Sequence, residues 1–274
     1  MFEISNIIQN FWPGTLRRRL ALEVAEKEMH ATSVRALIAQ RERLFAIMEY
    51  AGSVSIFKNG NNLAQVLESV RKTESQFYQD IFGLLLAKGR RGGYFVEFGA
   101  CDGMRISNTY LLENEFDWNG IVAEPGRDWH GALRLNRRCH IDTRCVHSQS
   151  GMKIPFYEAA DNNLQSGSVA DHMNIQRYGA YEVETVSLLD LLTHYDAPRF
   201  IDFMSVDTEG TEYEILSNFP FDNYEFGLIC VEHHLPEEEA ELVGLMSKNG
   251  YKQVFRSISS FDGWYIKDSN SAIE

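Results

Sequence analysis

From about residue 74 onward the chain alternates β-rich and helical stretches, and this constrains its fold more than any other feature. The strand-type segments are "YFVEFGA", "GIVAEP", "HIDTRCV", "KIPFYEA", "YEVETVS", "FIDFMSVD" and "FGLICVEHH". Helical patterns lie between many of them, over 107–115, 127–136, "LLDLL" and 211–217, and "SQFYQDIFGLLLA" precedes the first. Alternation of this kind predicts a mainly parallel sheet with helices on both faces. The last segments differ. "GYKQVFRSI" and "GWYIKD" lie close together around "SSFDG", which predicts an antiparallel hairpin.

The preceding residues have another texture. "MFEISNIIQNFW" spaces its apolar residues for a helix, ended by Pro13-Gly14 and followed by "TLRRRL". Two readings stand for it: a docking arm, or a helix lying on an anionic membrane surface. Residues 15–50 read as helix, "GSVSIFKNGNN" as a break, and "LAQVLESVRK" as a further helix. The expected organisation is a helical region over 1–72, serving oligomerisation or covering its neighbour, and a catalytic domain over 73–274. A homo-oligomer is the expected assembly.

A net charge of −13 argues against general nucleic-acid binding, which needs clustered Lys and Arg to neutralise phosphates. The four cysteines form no CxxC pair and sit in or beside apolar stretches, so a reducing, cytoplasmic location is expected. The N-terminus shows no signal-peptide pattern, and no apolar run reaches the roughly 18 residues of a transmembrane helix.

In open α/β sheets a ligand lies beyond the carboxyl ends of the strands, where strand order reverses. The first strand there runs into Glu97-Phe98-Gly99-Ala100-Cys101-Asp102-Gly103. Only Gly99 and Gly103 fit a dinucleotide GxGxxG, and Glu97 and Asp102 would repel a pyrophosphate. No GK[ST] is present, which excludes a P-loop. An acidic turn suits a cofactor with a cationic end and no phosphate, and S-adenosylmethionine is such a molecule. Glu124-Pro125, ending the next strand, stands within the roughly 20-residue spacing of a ribose-binding acid.

"FIDFMSVDTEGTEYEIL" repeats the design, with Asp207, Glu209 and Gly210 after a buried strand. Glu212 and Glu214 read as helix-start acids favoured by the dipole. "FGLICVEHH" carries Glu232, His233 and His234 to the same edge. Methyl transfer to an alcohol needs its hydroxyl proton removed, so Asp207, Glu209 and His233 are the candidate catalytic residues. An alternative use of Asp207, Glu232 and His233 is to ligate a divalent metal. Trp264, Tyr178, Tyr181 and the loop "DNNLQSGSVADHMNIQRYG" are candidates for holding an acceptor, since sugars favour aromatic faces with polar rims.

With these residues in place the chain resembles the FkbM family of S-adenosylmethionine-dependent methyltransferases. The matching pieces are "SQFYQDIF", "GGYFVEFGACDGMRISNTYLLE", "DWNGIVAEP", "NRRCHIDTRCVHSQSG", "SVDTEGTEYEIL" and "VEHH", in that order. The resemblance implies a Rossmann-like class I methyltransferase fold, a seven-stranded, mainly parallel sheet with a C-terminal antiparallel hairpin. It implies a cofactor site on Glu97, Gly99, Ala100, Asp102, Gly103, Ser107, Asn108, Glu124 and Pro125, with Asp207 close to the methyl group. The usual acceptors are hydroxyls of sugars, glycans or polyketide-like products. Relatives carry Asp where Glu97 stands and Asn where His234 stands, so His233 or Asp207 is the favoured base. A nicotinamide-dependent oxidoreductase and a non-catalytic cofactor- or glycan-binding module are the competing readings; the missing GxGxxG and the acidic turn count against the former.

Overall fold

A computed structural model of the chain describes residues 32–33, 35–50, 63–159 and 177–268. The expected amphipathic helix at the start of the chain lies outside those residues, as do residues 161–176 of the polar loop expected at 161–180, whose last residues belong instead to a strand, Arg177–Ser187. Contacts divide the chain into two units, Met1–Phe45 and Ala46–Glu274. In the first, the described residues 35–45 are helical, and Arg41 lies over the Phe45 ring at 5.4 Å.

The second unit begins with the helical residues 46–50, then α1 (Leu63–Ser69) and α2 (Gln79–Leu86). The alternating region follows as β1 (Tyr94–Phe98), α3 (Tyr110–Phe116), β2 (Asn119–Ala123), α4 (His130–Asn136) and β3 (His140–Asp142). Next come β4 (Cys145–His147), β5 (Lys153–Ala159), β6 (Arg177–Ser187), α5 (Leu188–His194), β7 (Phe200–Val206) and α6 (Glu212–Ser217). The described elements end with β8 (Glu225–Glu232), α7 (Pro236–Lys248), β9 (Tyr251–Val254) and β10 (Asp262–Lys267).

Seven strands form one sheet in the order β3-β2-β1-β7-β8-β10-β9. The strands pair in parallel except at β10, which runs antiparallel to both β8 and β9. This is the expected mainly parallel sheet with its antiparallel hairpin. "HIDTRCV" is not one strand. Asp142 turns back to accept from Arg144 N and the Arg144 guanidinium, and the chain leaves the main sheet there. The β4 segment then joins a second sheet, β4-β6-β5.

The central strands are buried on both faces, as continuous apolar runs such as "YFVEF" and "FIDFMSV" require. Since successive strand residues point to opposite faces, each face has its own core. Val96, Met204 and Ile229 pack with Leu191, Leu216 and Leu242 from α5, α6 and α7. On the other face Phe82 of α2 stacks on Trp264 at 5.7 Å and meets Phe255 and Tyr50 edge-on.

Strand order reverses between β1 and β7, so their carboxyl ends open the crevice where a ligand is expected. Gly99 is what lets them close up. It has φ +71°, and a Cβ there would stand 2.2 Å from the Asp207 carbonyl oxygen. Gly99→Ala is therefore expected to cost about 3 kcal/mol or more, combining backbone strain with a backbone clash. Urea denaturation checks it; an unchanged midpoint would mean that the two ends separate freely.

Candidate active site

The acids of the first turn are occupied by the protein itself. Glu97, buried at the end of β1, accepts from Ser107 Oγ at 2.8 Å, Asn108 N at 2.7 Å and Thr109 Oγ1. Arg137 approaches the same carboxylate at 3.3 Å. Asp102 accepts from Met104 N and Arg105 N at 2.9 Å and from Arg105 Nε at 2.7 Å. Partial burial would raise its pKa, but those hydrogen bonds and the guanidinium outweigh it and hold the carboxyl below its usual range. Gly103 is likewise fixed by packing: a Cβ would meet Arg137 Cγ and Leu133 Cδ1 at 2.6 Å.

Arg137 was not singled out from the sequence, yet it holds this region together. Its side chain is fully buried. It donates to Glu113 Oε2 at 2.6 Å, Thr109 Oγ1 at 2.8 Å and the Gly103 carbonyl at 3.2 Å. The sequence signal was an arginine pair in "NRRCHID", immediately before an apolar strand. Only three dimensions separate Arg137 from Arg138, whose side chain is exposed.

Ser107 and Asn108 are also tied down. Ser107 Oγ accepts from Tyr110 N at the start of α3. The Asn108 amide donates to Ser205 Oγ at 2.9 Å and accepts from Ser75 Oγ at 2.7 Å. Ser75 reaches Gln79 in turn, and Gln79 donates to Asp262. A continuous polar wall thus runs from β1 through α2 to β10. It bounds a cleft lined by Asn108, Ser205, Asp207, Asp262, Ile106 and Phe261, among others.

Glu124 is different. Its buried carboxylate accepts from Cys101 N at 2.8 Å and Gly126 N at 2.6 Å, one N–H on each oxygen. Acceptor capacity therefore remains on both oxygens. Burial pushes its pKa up to about 7, against the opposing pull of those two N–H groups. Ala100 N and Gly99 N both meet the Ala123 carbonyl, which brings the glycine turn alongside Glu124. Pro125 and Arg127 are fixed from outside by Tyr181 Oη, which accepts from Arg127 N at 2.8 Å. Tyr181 thus braces the β2 end.

Beyond β7, Asp207 lines the cleft, and its carboxylate comes within 4.8 Å of that of Glu232. Burial, then the neighbouring charge of Glu232, raises the Asp207 pKa well above normal, and burial raises Glu232 as well. Two neighbouring carboxyls oppose each other's ionisation. Glu232 Oε2 lies 3.2 Å from His234 Nε2.

Oxygen or nitrogen atoms of Glu209, Glu232 and His234 gather within 4.8 Å, as do those of Asp207, Glu212 and Glu232. The expected metal set of Asp207, Glu232 and His233 is corrected by this geometry: His233 joins neither group. Consecutive residues diverge at the strand end, and His233 turns toward Glu239 and Arg256, where burial lowers its pKa. Its buried Nε2 has no hydrogen-bond partner, and it does not line the cleft. Glu212 is engaged already, accepting from Thr208 N at 2.7 Å and from Gly210 N. Trp264 is corrected too: it is fully buried beneath Phe82 and offers no surface to an acceptor. The Tyr178 side chain falls outside the described residues.

A profile of the Methyltransferase FkbM domain matches residues 97–253, more than half of the chain. The chain belongs to the FkbM methyltransferase family. Its match begins at Glu97 and spans the glycine turn, Glu124, Asp207 and His234. No curated protein sequence matches it. Among solved structures, a precorrin-6y C5,15-methyltransferase from Geobacter metallireducens GS-15 is similar at 10% identity and a TM-score of 0.38. That similarity covers 68% of this chain and 85% of the other.

Methyltransferases of this family draw on S-adenosylmethionine, and the site's donor set fits it. Glu124 keeps acceptor capacity on both oxygens, as a ribose diol would require. A titration follows. Folded Glu124 titrates near 7 and a free glutamate near 4.5. Between those values the folded chain holds a proton that the unfolded chain has released, so this residue's contribution to stability declines as pH rises through the window. Cofactor affinity should rise over the same range as Glu124 ionises. Calorimetric titration with S-adenosylmethionine from pH 6 to 8, checked against Glu124→Gln, measures it; an equal pH dependence in the variant would refute the assignment.

Replacing Arg137 by Met should leave Glu97 and Glu113 buried without their cation. The expected loss is about 3–5 kcal/mol, read by urea denaturation.

Proposed function

We propose that this chain is an S-adenosylmethionine-dependent O-methyltransferase acting on a hydroxyl of a saccharide. The observation that carries this reading is the Asp207–Glu232 carboxyl pair at the β1/β7 crevice, with Asp207 lining the cleft. When bound, the cofactor supplies an electrophilic methyl group on a positively charged sulfur. What remains for the protein is to orient the acceptor and remove one proton.

Asp207 is the base. The pair disfavours double ionisation, and Asp207, which lines the cleft, accepts the hydroxyl proton when the pair's own proton rests on Glu232. Glu232 in turn contacts His234, so Asp207, Glu232 and His234 form a path by which the proton leaves the cleft. Glu209 lies within the same acidic group and adds negative potential at its rim. The acids oppose any anionic cofactor at this end of the crevice, which disfavours a nicotinamide dinucleotide.

Asp207→Asn should lower the rate constant for methyl transfer about 100-fold or more, the usual contribution of a positioned base, with cofactor affinity retained. Thermal shift with S-adenosylmethionine, its demethylated product and NAD provides the binding control. Loss of cofactor binding in the variant, or stabilisation of the wild type by NAD alone, contradicts the reading. A chelator in the same assay separates proton removal by the carboxyl pair from metal-assisted chemistry: the former predicts undiminished turnover.

A further inference from the structure

The cleft has two chemically distinct halves. Its floor presents Asp207 and Asp262, whereas its mouth presents Ile106 and Phe261, each with 37% of its surface exposed. Exposed apolar groups thus stand beside Asp262, which is buried, and Asp207, which is half-buried.

Phe261 closes the turn between β9 and β10. Its carbonyl accepts from His233 N at 2.7 Å, and Asp262 N donates to the Ser259 carbonyl. Its ring meets Phe77 at 5.0 Å in a T-shaped contact, and His234 lies on another side at 6.4 Å. Ile106 is held at φ +53°, an uncommon region for a β-branched residue. A bridge to Ser75 pins it there. Strain kept at a cleft mouth points to a role for the side chain it presents.

Resting on the proposed methyltransferase reading, we propose that Phe261 is the acceptor platform. Its exposed ring packs on the C–H face of a pyranose, Ile106 flanks the sugar, and Asp207 and Asp262 accept from two neighbouring hydroxyls. The acceptor is thus a cyclic sugar with a vicinal diol. The weakly positive axial C–H bonds of a pyranose match the negative face of an aromatic ring, whereas an open-chain polyol has no such face. Gln79, donating to Asp262, is the positioning residue for the second acid.

The test uses the full chain saturated with S-adenosylhomocysteine. Saturation-transfer NMR compares methyl glycosides of the common hexoses and 6-deoxyhexoses with the corresponding alditols. At least one pyranoside should bind, with saturation strongest on ring C–H protons, and its alditol should bind about five- to tenfold more weakly, as expected for one aromatic contact. Phe261→Leu keeps an apolar group and the fold but should lose the same factor; Phe261→Trp should restore it. The proposal falls if alditols bind as well as pyranosides, if Phe261→Leu binds like the wild type, or if S-adenosylhomocysteine binds and no pyranoside does. Failure of S-adenosylhomocysteine to bind removes the methyltransferase reading itself, and this proposal with it.

Discussion

The ion network around Arg137 sets the shape of the cofactor half of the molecule. One buried guanidinium joins Glu97 at the end of β1, Glu113 in α3, Thr109 and the Gly103 carbonyl. Burying three charges is costly, and mutual pairing with further hydrogen bonds is what offsets it. Once these partners are matched, the turn over 99–109 has little freedom. Glu97 orients Ser107 and Asn108, Ser107 starts α3, and Asn108 carries the order across to Ser205 of β7. The two halves of the sheet are registered through side chains as well as through strand pairing.

Charge also divides labour along the crevice. On the β1/β2 side the acids of the turn are satisfied by the chain, and Glu124 alone among them keeps acceptor capacity on both oxygens. On the β7/β8 side Asp207, Glu209, Glu232 and His234 crowd together, and burial pushes the Asp207 and Glu232 carboxyls toward their protonated forms. On the proposed reading, that difference separates a side that holds the cofactor from a side that moves a proton. The same carboxyl type serves both because the local donors differ.

The sheet and the edge of the site were legible from residue order. Alternating segments gave the strands, and the glycine and acids at strand ends marked the crevice. Side-chain direction was not. Glu97 was visible as a functional acid, but its partner Arg137 lies forty residues away, so its inward use could not be read. His233 and His234 look equivalent in "VEHH", and only the twist of the chain past β8 separates them. Trp264 carried the larger aromatic signal, yet β10 is buried along nearly its whole length and packs it beneath Phe82, while Phe261, one residue ahead of the strand, stays at the surface. In "HIDTRCV" the Asp142–Arg144 contact breaks a run that composition alone makes continuous.

An antiparallel strand begins at the edge where its parallel neighbours finish. Because β10 is inserted between β8 and β9, its first residue, Asp262, and the preceding Phe261 arrive at the cleft beside Asp207, although they follow it by more than fifty positions. During synthesis the residues of the glycine turn and Glu124 leave the ribosome long before this strand does. On the proposed reading, the nascent chain can therefore assemble the portion facing the methyl donor first, and the portion facing the molecule to be modified becomes complete only when β10 slots between strands already made.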